Sequence, residues 1–184
     1  MPISAQQLRK YPNPVFFETG MGIEAKGIRA ALESNVFEQI HSVECSKRRF
    51  MRAKEKYEGN SAIKVYYGDS ASILVGYIPL ISKPITFWLD AHPAKVMLNE
   101  DNCPIFKELA AIKKYCKHPP KIIVDDMQLF IKEDQDRIIK MALDVFPAGE
   151  AVVSYESGNF KDDILVVILK SQVLAEGKEN VQVV

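Results

Sequence analysis

The run from Val15 to Ile28, VFFETGMGIEAKGI, restricts the fold of this chain more than any other stretch. Val15, Phe16 and Phe17 are a short apolar run of β-favouring residues, as a buried strand requires. Glu18 then puts a carboxylate at the carboxyl end of that strand. Gly20 and Gly22 remove two Cβ atoms where the backbone must turn and where a ligand needs close approach. From Ala25 to Ser34 the apolar residues return at helical spacing, with Ile28, Ala31 and Leu32 on one face. Strand, Gly-x-Gly turn and helix form the first half of a nucleotide-binding βαβ unit. The third glycine of a dinucleotide fingerprint is missing: position 25 is Ala, and Gly27 is out of register.

The pattern repeats down the chain. Gln39 to Glu44 reads as a second strand ending in a carboxylate, and Cys45 to Tyr57 as a basic helix with Ser46 at its N-cap. Ala62 to Tyr67 is a third strand running into Gly68-Asp69-Ser70, followed by a helix over 72–81 that is interrupted near Pro79. Pro84 to Leu89 is a fourth strand ending in Asp90-Ala91-His92. Residues 93–103 form a long irregular connection, expected near the site. Pro104 to Tyr115 has helical spacing with Pro at N1. Lys121 to Val124 is a fifth strand ending in Asp125-Asp126, and 134–145 is a further helix. Two more strands, 150–155 and 164–170, are joined without a helix, so one of them must run antiparallel to the rest. The expected fold is α/β and Rossmann-like: a seven-stranded, mostly parallel sheet with helices on both faces. The 184 residues fit one domain, with 1–14 as a lead-in segment, 15–170 as the core and 171–184 as a tail.

Lys plus Arg equals Asp plus Glu, 24 of each, so the whole-chain charge points to neither a nucleic-acid nor a membrane partner. The basic run Lys47-Arg48-Arg49 reads as the solvated face of its helix. Three cysteines, widely spaced and without a CxxC, argue against a disulfide framework and a structural zinc site. No stretch reaches the roughly 20 apolar residues of a membrane span, and the N-terminus has no apolar signal core. A cytoplasmic protein is expected, with a homodimer admissible.

In such a sheet, ligands bind outside the carboxyl ends of the strands. Those ends carry Glu18, Glu44, Asp69, Asp90, His92, Asp125 and Asp126, so almost every strand delivers an acid to one rim. Glu44 stands 22 residues after Gly22, where a carboxylate accepts hydrogen bonds from both ribose hydroxyls of an adenosine. NAD-binding proteins and S-adenosylmethionine (SAM) enzymes share that feature. Three observations favour SAM. Two effective glycines suffice for a ligand without a pyrophosphate, Asp69 suits an adenine amino group, and no Tyr-x-x-x-Lys dyad exists for dehydrogenase chemistry. An NAD-linked oxidoreductase or epimerase is the runner-up among enzymes. His41, His118 and Trp88 read as structural.

Over about residues 15–170 the chain resembles the class I SAM-dependent methyltransferases. ETGMG (Glu18, Thr19, Gly20, Met21, Gly22) matches their first motif, VEC (Glu44, Cys45) their ribose acid, GDS (Asp69, Ser70) their adenine side and WLDAH (Asp90) their fourth motif. The resemblance implies that these residues hold SAM and that the last strand is the antiparallel one. LDAH together with VDD looks most like the metal-assisted O-methyltransferases acting on sugar hydroxyls. That likeness implies a divalent cation, Mg²⁺ or Mn²⁺, on Asp90, Asp125 and Asp126. It also implies a small-molecule or glycan acceptor, with His92 and Asp90 as catalytic residues. His92 departs from the pattern, since related sugar enzymes can carry an Asp there, and it is expected to act as general base. A different small-molecule hydroxyl as acceptor, or a catalytically silent SAM-fold partner subunit, are the alternatives.

Overall fold

The computed structural model describes residues 3–93 and 96–175. In chain order the elements are α1 (Ala5–Leu8), β1 (Val15–Thr19), α2 (Lys26–Ser34), β2 (Gln39–Glu44), α3 (Lys47–Lys56) and β3 (Ile63–Tyr67). They continue with α4 (Ser70–Tyr77), β4 (Ile85–Leu89), α5 (Ile105–Tyr115), β5 (Lys121–Val124), α6 (Lys132–Leu143), β6 (Ala151–Glu156), β7 (Ile164–Leu169) and α7 (Lys170–Ala175). The interruption expected near Pro79 is a short 3-10 turn, Ile78–Leu80, following α4. The seven strands lie in the order β3-β2-β1-β4-β5-β7-β6. β1 to β5 pair in parallel, and β7 runs antiparallel to both of its neighbours, β5 and β6. The expected fold class holds, including the reversed last strand.

Strand alternation sorts the core onto the two faces. Val15, Phe17, Ile85, Phe87, Leu89, Ile122 and Val124 meet α4, α5 and α6 on one face. Phe16, Trp88, Ile40, Ile123, Val166 and Ile168 face the other, with Ile28 and Ala31 of α2 and Ala53 of α3. The same period of two sends Glu18 towards α2 and Thr19 towards α4 and α5. Trp88 is fully buried, and His41 is buried beside Phe17 and Tyr66. His118 bonds to the Ser82 carbonyl on the surface.

Both ends of the chain differ from expectation. The lead-in is part of the core: Ile3, Leu8 and Tyr11 are buried against the α2 side of the sheet. Ser4 and Gln7 close a capping box at the start of α1. Thr86 in β4 donates to the Tyr11 carbonyl at 2.7 Å, and Glu156 at the end of β6 accepts from the Tyr11 hydroxyl and from Lys10. At the other end, the expected tail begins as α7 with Val173 buried. Residues 176–184 of that expectation lie outside the described residues.

Candidate active site

β1 and β4 are neighbours, while the chain leaves β1 towards β2 on the opposite side, so the strand order reverses at β1. A crevice opens at such a reversal. Here it is a cavity of about 850 Å³ whose walls include Gly20, Gly22, Glu44, Asp69, Asp90 and Asp126. The turn after β1 is tied to the end of β2: Gly20 and Met21 donate their N–H groups to the Val43 carbonyl at 3.0 and 3.2 Å. Gly22 donates to Glu44 Oε2 at 3.1 Å, and Ser46 donates its backbone N–H to Glu44 Oε1 at 2.7 Å. That second bond caps the start of α3 from Glu44, because the Ser46 side chain makes no cap hydrogen bond. Arg49 Nη1 stands 3.8 Å from Glu44 Oε2.

The glycines divide their duties. Gly20 has φ +80°, and a Cβ there would lie 2.2 Å from the Asp90 carbonyl oxygen, so the turn is pressed against the end of β4. Gly22, at φ +69°, has open space on its Cβ side. Gly27 supplies the close packing for which no third glycine is in register. A Cβ on it would fall 1.8 Å from Glu18 Oε1. Glu18 is therefore covered by α2 and accepts from the Ser42 hydroxyl. Burial pushes its pKa up to about 8, against the opposing pull of Ser42. Among the residues expected to hold cofactor, Glu18, Thr19 and Met21 are buried and do not line the cavity, whereas Gly20, Gly22, Glu44, Cys45, Asp69, Ser70 and Asp90 do. Asp69 also caps α4, accepting from the Ser72 N–H and hydroxyl at 2.9 and 2.8 Å, both on Oδ1.

On the far wall His92 Nε2 lies 3.1 Å from Asp90 Oδ1 and 3.4 Å from Asp126 Oδ2. Burial alone would lower the His92 pKa, but the adjacent carboxylates of Asp90 and Asp126, with the Pro93 carbonyl, outweigh it and hold the ring at about 9. The imidazole set between these carboxylates is thus a cation near neutrality and a donor. Asp126 adopts the left-handed region, φ +54°, in the turn after β5. Asp125 is buried and accepts from the Asp126 N–H at 2.9 Å. Burial, then Asp90 and Asp126, push its pKa up to about 8.

The three acids expected to share one cation are divided. Among the described residues, two sets place their ligand atoms within 4.8 Å of one another: Asp90, His92 and Asp126, and separately Asp125, Asp126 and Asp163. Asp125 belongs with Asp163 to the second set, while Asp126, in its left-handed turn, reaches both. The two carboxylates of the first set, Asp90 and Asp126, are oxygen donors that fit a divalent ion such as Mg²⁺ or Mn²⁺.

Several cavity residues give no signal in the sequence. Glu100, Asp101, Asn102, Cys103 and Lys107 come from the connection before α5 and from its first turn. Beneath them lies Glu108, buried on the same face of α5 as Ile105 and Ile112. The expected proximity of the 93–103 connection to the site is the signal that could have led to them.

A seven-stranded sheet in this order with one reversed strand is the Rossmann-like fold of the methyltransferases. No family model matches the chain, and no curated protein matches it. Among solved structures it resembles human methyltransferase-like protein 13 in complex with SAH, at 14% identity and TM-score 0.57, over 95% of this chain and 82% of that one. A candidate caffeoyl-CoA O-methyltransferase from Staphylococcus aureus aligns at 12% identity and TM-score 0.55, over 90% and 80% of the two chains. Spermidine synthase from Thermotoga maritima aligns at 12% and TM-score 0.53, over 89% of this chain and 55% of that one. At such identities the likeness fixes the fold, and the three names span more than one reaction.

Proposed function

We propose that the protein is a SAM-dependent O-methyltransferase that acts with divalent-metal assistance on a hydroxyl, with a sugar of a glycan or glycoconjugate as the favoured acceptor. One observation carries the reading: the Glu44 carboxylate, anchored on the glycine turn, faces a cavity whose opposite wall is Asp90, His92 and Asp126. SAM would lie across Gly20-Met21-Gly22, with its ribose hydroxyls donating to Glu44 and its adenine between Asp69 and Ser70. Neutral ribose hydroxyls can share a carboxylate that already accepts two backbone N–H groups, since it offers about four acceptor positions.

Asp90 and Asp126 would hold the divalent ion, with Asp125 behind them, leaving His92 Nε2 unligated beside it as the proton acceptor. When bound, the ion supplies Lewis-acid stabilisation of the acceptor oxygen as charge develops there. Methyl transfer is a displacement in which an acceptor lone pair forms the O–C bond. The C–S bond breaks with its electron pair returning to sulfur, leaving S-adenosylhomocysteine. The hydroxyl proton passes to the His92–Asp90 pair. For that, the ring must first lose the proton that Asp90 and Asp126 favour, so His92 accepts only when those carboxylate charges are neutralised. The carboxylates on both walls favour a polyhydroxylated acceptor over an apolar one. Small acceptors and a homodimer are compatible with the cavity size and with the 24 to 24 charge balance.

Transfer from labelled SAM to a panel of sugars and glycosides tests the reading. Transfer is expected to vanish in EDTA and to return with Mn²⁺ or Mg²⁺. Full transfer in EDTA would overturn the metal assignment, and no transfer to any hydroxyl would overturn the acceptor class.

A further inference from the structure

Glu108 has no part in the reaction as written, yet its carboxyl is buried beside the site. It sits in the first turn of α5, 1% exposed. Ser70, at the start of α4, and Thr19, at the end of β1, stand beside its carboxyl beneath the cavity floor. Its Oε1 nevertheless has no hydrogen-bond partner. Among the described residues, the other buried side-chain polar atoms in that condition are Asn13 Nδ2, Trp88 Nε1 and His92 Nε2. Glu108 and His92 also line one small void of about 10 Å³, together with Ala91, Cys103 and Asp125.

A buried polar atom left without a partner costs about 1–3 kcal/mol, so two such atoms around one void call for a shared partner. A water needs roughly 10–15 Å³ of probe-occupied space and two to four polar partners; the void stands at the lower end of that size, and His92, Glu108 and Asp125 border it beside Leu89, Ile105, Val124 and Phe130. His92 Nε2 is within ion-pair distance of Asp90 and Asp126 but makes no aligned hydrogen bond to either, so its in-plane N–H is directed at neither carboxylate.

We propose that in the metal-free protein one internal water bridges His92 Nε2 and Glu108 Oε1, and that Glu108 is through this water a positioning residue for the His92 ring. The imidazole N–H donates to the water, and the water donates to Glu108 Oε1. The burial that pushes the Glu108 pKa up to about 7 agrees with a carboxyl short of solvent and served by few donors. The consequence for proton transfer rests on the methyltransferase reading, whereas the water and the ring orientation do not.

Two measurements on chelator-treated protein test this. A high-resolution crystal structure of the wild type should show an ordered water within about 3.2 Å of both atoms. Nitrogen-15 spectra of the imidazoles should show the His92 ring signals displaced in Glu108→Leu and held near their wild-type positions in Glu108→Gln, which keeps an acceptor oxygen. His41 and His118 serve as internal references and should not move. A dry void, a metal ion in it, wild-type His92 signals in Glu108→Leu, or equal displacement in both variants would overturn the proposal. Should the leucine variant fail to fold, the wild-type water and the glutamine spectrum still decide it. Absence of methyl transfer from every assay would leave these results unaffected.

Discussion

At the scale of single residues, the site is built by side chains that are missing as much as by those present. Gly27 is the clearest case: the sequence places it out of register with a dinucleotide fingerprint, and in the fold it is the position where α2 rests on Glu18. Gly27→Ala should force the helix or the carboxylate to move, at a cost of about 1–3 kcal/mol, the range for overpacking a buried contact. Chemical denaturation would read it as a lower midpoint with an unchanged slope. A variant as stable as the wild type would mean that Glu18 yields freely. Glu44, Asp69, Asp90 and Asp126 were legible as site residues from strand-end spacing alone, because each follows a recognisable apolar run. Glu108 and the pairing of His92 with two carboxylates were not, since both depend on which loops fold back over the rim. His92 shows the limit most plainly: its residue type suggested a base, and its neighbours make it a cation.

Among the elements, the strands were the easiest to read and the terminal segments the hardest. The runs at β1, β4 and β5 set those strands within a residue or two, because a buried parallel strand is a near-continuous apolar run, whereas β2 and the half-exposed edge strand β3 carry polar residues among their apolar ones. The lead-in segment hid its role because α1 is a single turn, and its buried residues Ile3, Leu8 and Tyr11 are too widely spaced to show a period. Its importance lies in packing over Phe16 and Ile28. Leu8, with no exposed surface, should cost about 2–5 kcal/mol when replaced by alanine, as for other buried leucines. Calorimetric melting of Leu8→Ala would show it, and an unshifted midpoint would return the segment to the status of a peripheral arm. The same change at exposed Leu80 should have little effect, which separates core packing from loss of an apolar surface group.

For the whole molecule, the parallel strands deliver their carboxyl ends to one rim, and the fold accepts buried acids there at a cost that depends on pH. Glu18, Glu108 and Asp125 are held at about 8, 7 and 8, chiefly by burial. Their folded-state values exceed the unfolded ones, so the stability they contribute is complete below about pH 4 and is lost as pH rises towards 8. His92, held at about 9 by Asp90 and Asp126 against burial, acts in the same sense above its ordinary value of 6.5. His41 acts oppositely: burial and then Lys64 lower it to about 4, so its contribution is complete above 6.5 and is lost as pH falls through 4. The melting temperature should therefore be higher near about pH 5.5 than near about pH 8.5. A rise over that interval would contradict the burial of these carboxyls. The central claim is that the crevice at β1 is an adenosyl site closed on Glu44, and calorimetric titration with S-adenosylhomocysteine tests it most directly. The account predicts one saturable site on the wild type, weakened by about 1–3 kcal/mol in Glu44→Ala as for a lost charged hydrogen-bond partner, and no comparable binding of NAD. Equal affinity in the two proteins, or binding of NAD in place of S-adenosylhomocysteine, would contradict it.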